Sequence, residues 1–205
     1  MQQRSDEWFQ ARLGKVTASK VSDVMAKTKT GPAASRQNYM MQLLCERLTG
    51  KKEDTYQSDA MRRGEELEPA ARTVYEAEMG LLVVETGLIA HPEIEHFAAS
   101  PDGLIDVDGM LEIKCPNTAT HIQFIQSLKP EGKYQWQMLC QMACAGRDWV
   151  DFVSFDDRLP PALQYQQIRF YRDEGRIKEM EAEVRRFLDE LAELEYDMRN
   201  KMEAA

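Results

Sequence analysis

Apolar positions in the first third of the chain recur at helical spacing. Asp6-Glu7-Trp8-Phe9-Gln10-Ala11-Arg12-Leu13-Gly14 has the pattern of a short amphipathic helix stopped by a glycine. Thr17-Ala18-Ser19 offers caps for a second helix running through Met25. Lys27 to Arg36 reads as a basic loop that turns at Gly31-Pro32. Tyr39, Leu43, Leu44 and Leu48 mark a third helix, ending at Gly50. Ser58 to Met79 predicts one longer helix, with Pro69 as the place for a bend and Gly80 as its stop.

From residue 82 the period shortens. Leu82-Val83-Val84-Glu85, Leu88-Ile89-Ala90-His91 and Phe97-Ala98-Ala99-Ser100 are β-prone runs separated by turn residues. Met110-Leu111-Glu112-Ile113-Lys114 alternates as a half-buried strand does, behind the hairpin signal Asp108-Gly109. A helix over Lys133 to Ala145, strands over Trp149 to Phe155 and Tyr165 to Tyr171, and a closing helix over Arg176 to Asn200 complete the order. That order predicts helices flanking a mixed central β-sheet, in the α/β to α+β range. No repeat or linker-like stretch interrupts it, so a single domain is expected: a helical part at 1–80, a sheet-bearing core at 81–172 and a C-terminal helix at 173–201.

Composition narrows the setting. The 205 residues are 43% hydrophobic and 30% charged, which is enough for one compact core. No apolar run approaches the roughly 18–20 residues of a membrane span. Met1 to Glu7 lacks the apolar centre of a secretory signal. Cys45, Cys115, Cys140 and Cys144 form no CxxC pair, so the expectation is a soluble protein in a reducing cytoplasm, with no membrane partner. The net charge of −9 is segregated: residues 1–60 carry ten basic against seven acidic side chains, and residues 61–116 four against twelve. An acidic balance of this kind serves solubility, or gathers divalent cations where the carboxylates cluster.

One constellation carries chemistry. Glu112 and Lys114 stand two apart on a strand and so share a face, and Asp102 lies across the hairpin near the same end of the sheet. Two carboxylates at one point suit a hard cation such as Mg²⁺ or Mn²⁺. A lysine beside them can orient a water and stabilise charge developing at phosphorus. On spacing alone, an ordinary surface hairpin with a Glu–Lys cross pair fits as well. The helix from Lys133 is apolar nearly all round except Gln137 and Gln141, whose amides need partners once buried. Glu65 and Glu66 read as a solvated face. Asp106-Val107-Asp108-Gly109 echoes half of a calcium loop, but the first and twelfth ligand positions would be Leu104 and Cys115. His91, His96 and His121 have no zinc spacing, and Cys140 and Cys144 read as core. Ile177, Met180, Val184, Phe187, Leu191, Leu194 and Met198 form a 3-4 seam, for packing on the sheet or for a subunit contact.

These residues also resemble a known family. An Asp, a gap of about ten and Glu-x-Lys is the signature of PD-(D/E)xK nucleases. Trp8 with Ala11-Arg12-Leu13-Gly14 and Thr17-Ala18-Ser19, then Gly64-Glu65-Glu66-Leu67-Glu68, Ser100-Pro101-Asp102-Gly103-Leu104, Leu111-Glu112-Ile113-Lys114-Cys115-Pro116 and the Gln-bearing helix Tyr134 to Met142 look like the lambda-exonuclease-like, YqaJ-type viral recombinases in order. The resemblance runs from about residue 5 to 155. It implies a restriction-endonuclease-like core with Asp102, Glu112, Glu68 and the Ile113 carbonyl as metal ligands. Lys114 would hold or activate the attacking water, and Gln137 would support that water or the lysine. Arg12, Ser19 and Ser100 match a pocket for a 5′-phosphate, and Met61 falls where an apolar wedge splits the terminal base pair. Thr120, followed by His121, stands where the lambda enzyme has an arginine, so Lys20 or the Lys27–Arg36 loop is the candidate replacement charge. The implied activity is a Mg²⁺-dependent 5′→3′ exonuclease on linear double-stranded DNA, with two ions and Mn²⁺ able to substitute. It would release 5′-mononucleotides and leave 3′ single strands for phage or prophage recombination. Its partners would be a single-strand annealing protein and two further copies in a homotrimeric ring, in the cytoplasm of a bacterial host. The alternatives are an endonuclease of the same superfamily and a non-catalytic DNA-binding module.

Overall fold

The computed structural model describes residues 1–29, 31–52 and 58–203. The N-terminal part holds α1 (Asp6–Arg12), β1 (Val16–Thr17), a 3-10 turn (Ala18–Lys20), α2 (Val21–Val24), a ribbon of β2 (Lys27–Thr28) and β3 (Gly31–Pro32), α3 (Ala34–Thr49) and α4 (Asp59–Met79). Then come β4 (Val83–Val84), β5 (Ile89–Ala90), β6 (Phe97–Ala99), β7 (Gly103–Ile105) and β8 (Gly109–Lys114). α5 (Thr118–Ser127), α6 (Gly132–Ala145), β9 (Trp149–Phe155), β10 (Tyr165–Tyr171) and α7 (Glu174–Glu203) close the chain.

Five strands form the main sheet in the order β10-β9-β8-β7-β4. β8 and β9 are parallel, and the other pairs are antiparallel. Gly109 pairs with Trp149 at the start of the parallel pair, and the indole lies where a Cβ on residue 109 would be. A smaller sheet, β1-β6-β5, sets β1 parallel to β6. The mixed sheet with flanking helices is the architecture expected from the order of elements.

Both faces of the main sheet are covered, which is why β8 is buried along almost its whole length. On one side α4 brings Ala71 and Tyr75 onto Ile105, Leu111, Ile113, Val153 and Phe155. On the other, α6 brings Met138, Leu139 and Met142 into a larger core with Met110, Val150 and Phe152, closed by α2, α3 and α7. Each large apolar side chain removed from water there contributes roughly 1.5–3 kcal/mol. The α7 seam belongs to this core. Ile177, Met180, Val184, Phe187 and Leu191 are buried, with Leu194 and Met198 packed against them. The seam is internal packing rather than a subunit contact.

Three local expectations differ from the structure, and β8 is buried on both faces where the alternation predicts a half-buried strand. Thr17 does not cap a helix with its side chain: it ends β1, and only a 3-10 turn and one turn of α2 follow. The basic loop holds the β2–β3 ribbon, and α3 already starts at Ala34. α4 is the one long helix expected, running through Pro69 to Gly80, with Ser58 accepting from Met61 N at 3.2 Å as its cap. α5 was not expected at all. Its Asn117 cap accepts from Thr120 N at 2.9 Å, but the helix buries only His121 and Phe124, too few for a legible stripe.

Candidate active site

The pleat of β8 sorts its side chains. Leu111 and Ile113 point to α4, while Met110, Glu112 and Lys114 point to the α6 side. Glu112 is 1% exposed and would be costly there without donors. α6 supplies them: Gln137 Nε2 donates to Glu112 Oε1 at 2.6 Å, and Gln141 Nε2, one turn on, donates to Oε2. Lys114 Nζ pairs with Oε1 of the same carboxylate. The two amides predicted to need partners therefore share one.

Asp102 enters from the loop before β7. Its N–H donates to Leu111 O at 3.0 Å and its Oδ2 accepts from Ile113 N at 2.7 Å, so the loop is pinned beside β8. Burial, then the charges of Glu112 and Glu68, push the Asp102 carboxyl well above its usual range. Burial opposes the charge on Lys114, but Glu112 and Asp102 outweigh it and hold the ammonium above its ordinary value. Lys114 is thereby held against Glu112 as a hydrogen-bond donor. The Tyr134 ring centroid lies 5.2 Å from its Nζ.

Glu68 projects from α4, with one oxygen paired to Arg4 and the other 3.4 Å from Arg72. Among the described residues, no three His, Cys, Asp or Glu side chains stand close enough to form a ready metal-binding group. The donors still suit a hard divalent ion, being the carboxylates of Asp102, Glu112 and Glu68 and a main-chain carbonyl at Ile113. The repulsion that raises Asp102 is also what such an ion would relieve.

Arg12 and Ser19 line a neighbouring cleft of about 200 Å³ with Trp8, Thr17, Tyr39 and Lys52. Arg12 stacks on Trp8, 4.0 Å from the ring centroid, and reaches Thr17 Oγ1 at 3.3 Å. Trp8 Nε1 in turn donates to Ser100 Oγ at 3.0 Å, so the indole ties this cleft to the segment that carries Asp102. Met61 is 54% exposed on the first turn of α4, two turns before Glu68 and on nearly the same face. Thr120 borders a second cleft of about 250 Å³ beside Lys114, with Phe124, Tyr134 and Ser154.

The candidate replacement charges are mostly engaged elsewhere. Arg36 is buried and bonds Glu190 at 2.7 and 3.0 Å, Lys27 pairs with Glu183 at 3.0 Å, and Lys20 pairs with Asp23 at 3.1 Å while lining the Arg12 cleft. Thr30 of that loop lies outside the described residues. His91 and His121 are tied to Glu181 and to Ser154 with Leu163 O, respectively, as structural groups.

The model of the YqaJ-like viral recombinase domain matches residues 7–148, more than half of the chain. The chain belongs to the YqaJ-like viral recombinase family. The solved structures agree. An alkaline exonuclease (LHK-Exo) from Laribacter hongkongensis is 56% identical, covers 98% of this chain and 100% of its own, and superposes with a TM-score of 0.91. A second structure of LHK-Exo, in complex with dAMP, matches equally well. A phage related exonuclease from Haemophilus somnus 129PT shares the fold at 17% identity and a TM-score of 0.73, over 90% of this chain and 96% of that one. A comparison with curated proteins returns no match.

Within this YqaJ-family site, sequence reasoning missed three contributors. Gln141 was visible as a buried amide without an assigned role, and its four-residue spacing from Gln137 was the signal. Tyr134 lay in a matched helix, but nothing local marks its ring as facing Lys114. Arg4 gave no signal, because its partner Glu68 is 64 residues away.

Proposed function

We propose that this YqaJ-family protein is a single-domain, divalent-metal-dependent exonuclease that degrades linear double-stranded DNA from the 5′ end. It would release 5′-mononucleotides and leave 3′ single strands for strand annealing in phage or prophage recombination. The observation that carries this reading is Glu112 held by Gln137, Gln141 and Lys114 beside the pinned Asp102. Family membership and the likeness to an alkaline exonuclease support a nuclease role in recombination. The dAMP complex of LHK-Exo fits a mononucleotide product.

Asp102, Glu112, Glu68 and the Ile113 carbonyl would hold Mg²⁺, two ions in the full site, with Mn²⁺ a fitting substitute. When bound, the metal would supply Lewis-acid polarisation of the scissile phosphate and a more acidic water. The chain's own groups do the rest. The Lys114 ammonium orients the incoming water and donates to the charge that grows on the phosphoryl oxygens. Gln137 keeps Glu112 turned toward that point. Arg12, with Ser19 and Ser100, receives the 5′-phosphate, whose planar-fork recognition suits a guanidinium already fixed by stacking. Met61, exposed on the first turn of α4, would wedge the terminal pair. A ring of three copies around the duplex, in a bacterial cytoplasm and alongside a single-strand annealing protein, would make the digestion processive. The buried α7 seam is not its interface.

The test uses linear duplexes with a 5′-phosphate or 5′-hydroxyl and a covalently closed circle, with Mg²⁺ or EDTA, comparing wild type and Lys114→Ala. Metal-dependent mononucleotide release from 5′-phosphate ends, absent for circle and variant, is the expected result. Cutting of the circle would replace this reading by an endonuclease, and binding without any cleavage by a DNA-binding module.

A further inference from the structure

We infer that Arg4 is a built-in counter-cation of the carboxylate cluster, competing with a divalent ion for Glu68 and so setting how tightly the site binds it. The inference rests on the metal-site reading proposed above.

Arg4 precedes α1 with its main chain in the left-handed region, at φ 66°. A residue with a Cβ stays there only when surrounding contacts hold it. Those contacts are present. The Gln3 amide donates to Thr86 O at 2.9 Å and to Pro101 O at 2.8 Å, the second being the residue just before Asp102. The N-terminal arm is thereby fastened to the same loop that presents Asp102, and Arg4 is laid on Glu68. Arg4 also feels the charges of Glu65 and Asp102.

Gln3, Arg4, Arg72, Glu68, Glu85 and Asp102 border one polar cavity of about 190 Å³. Three carboxylates face two guanidiniums there, a formal balance that favours a cation over an anion. The two arginines are not equivalent. Arg72 bridges Glu68 and Glu85 with a side chain 15% exposed, whereas the Arg4 side chain is 45% exposed on a terminal arm. Arg4 is the one that can withdraw. An ion that draws Glu68 toward Asp102 competes with Arg4 for that carboxylate, so ion binding weakens the Arg4–Glu68 pair. Metal affinity and the order of the arm are then linked.

The test measures Mn²⁺ binding to the DNA-free protein from the paramagnetic resonance of the free ion, for wild type, Arg4→Gln and Arg62→Gln. Arg62→Gln removes the same charge from an exposed pair with Asp59 on α4 and controls for net charge. Arg4→Gln is expected to tighten binding about threefold or more, the size of a part-exposed ion pair, and Arg62→Gln to leave it within twofold. Hydrogen exchange over residues 1–5 of the wild type is expected to rise on adding Mg²⁺. Equal or weaker Mn²⁺ binding by Arg4→Gln, equal tightening by Arg62→Gln, or an arm whose exchange ignores Mg²⁺ overturns the role of Arg4 alone. No metal binding by any of the three proteins overturns the metal-site reading and this inference with it.

Discussion

At the scale of single residues, the site is held in a state that costs the fold something. Asp102 is pressed by burial and by Glu112 and Glu68, which raises its carboxyl above the usual range. A group whose folded pKa is raised makes its charged form unfavourable in the native state, so neutralising it at pH 7 should help the fold. Asp102→Asn keeps an oxygen for the 2.7 Å bond from Ile113 N and removes the charge. It should abolish cleavage while stabilising the metal-free protein by about 0.5–2 kcal/mol, as removal of a strained functional group commonly does. Urea melts of the metal-free proteins check this, and a loss of stability would refute the account of Asp102. Gln141→Leu goes the other way. It takes a buried donor from Glu112, and the same melts should show a loss of about 1–3 kcal/mol.

Elements bring such residues together, and this is where the sequence was most and least informative. The strand at β8, the helix with two amides among apolar neighbours and the 3-4 seam of α7 were all legible as periodic signals within one element, although the alternation of β8 pointed to a half-buried strand and both its faces are covered. β1 was not, since two residues paired in parallel with β6, some 80 positions later, leave no local pattern. The Arg4–Glu68 pair failed to show for the same reason. Asp156, at the end of β9, is another tie invisible to periodicity. It is fully buried and accepts from Arg63 at 2.9 Å, Thr118 at 2.6 Å and Arg158 at 2.8 Å, joining α4, α5 and the sheet. Burial opposes its charge, yet Arg158 and Thr118 hold its carboxyl far below the ordinary carboxylate value. The sign follows: a depressed folded pKa gives stability that is present above the unfolded value near 3.8 and is lost as pH falls toward the folded one. Wild type should therefore lose stability steeply below about pH 4, whereas Asp156→Asn should be weaker at pH 7 and flatter across that window. Denaturant midpoints from pH 6 to pH 2.5 decide the matter, and parallel curves would remove Asp156 from the argument.

For the whole molecule, the question is how a chain of net charge −9 takes hold of a polyanion. Its overall field repels DNA, so attraction must be local, and the cleft behind α1 is where the basic groups gather. They are of two kinds. Lys15 is tied to Ala11 O at 2.6 Å, Lys20 to Asp23, and Lys52 rests 4.2 Å from the Phe9 ring centroid, all on flexible stems that lend charge without a fixed direction. Arg12 is different, being stacked on Trp8 and bonded to Thr17, with its donors aimed before any ligand arrives. Charge alone should set how strongly any duplex end is held, and Arg12 should set which end is preferred. Arg12→Lys, which keeps the charge but loses the fork and the stack, should lower kcat/KM on 5′-phosphorylated ends by roughly tenfold or more while barely changing it on 5′-hydroxyl ends. Lys52→Ala should weaken both ends alike, and more so at low salt, where exposed charges act furthest. Kinetics with the two end chemistries at two salt concentrations separate these outcomes. If Arg12→Lys lowered both rates equally, the cleft would be a general anchor for DNA, and recognition of the 5′-phosphate would have to be sought beside Lys114 instead.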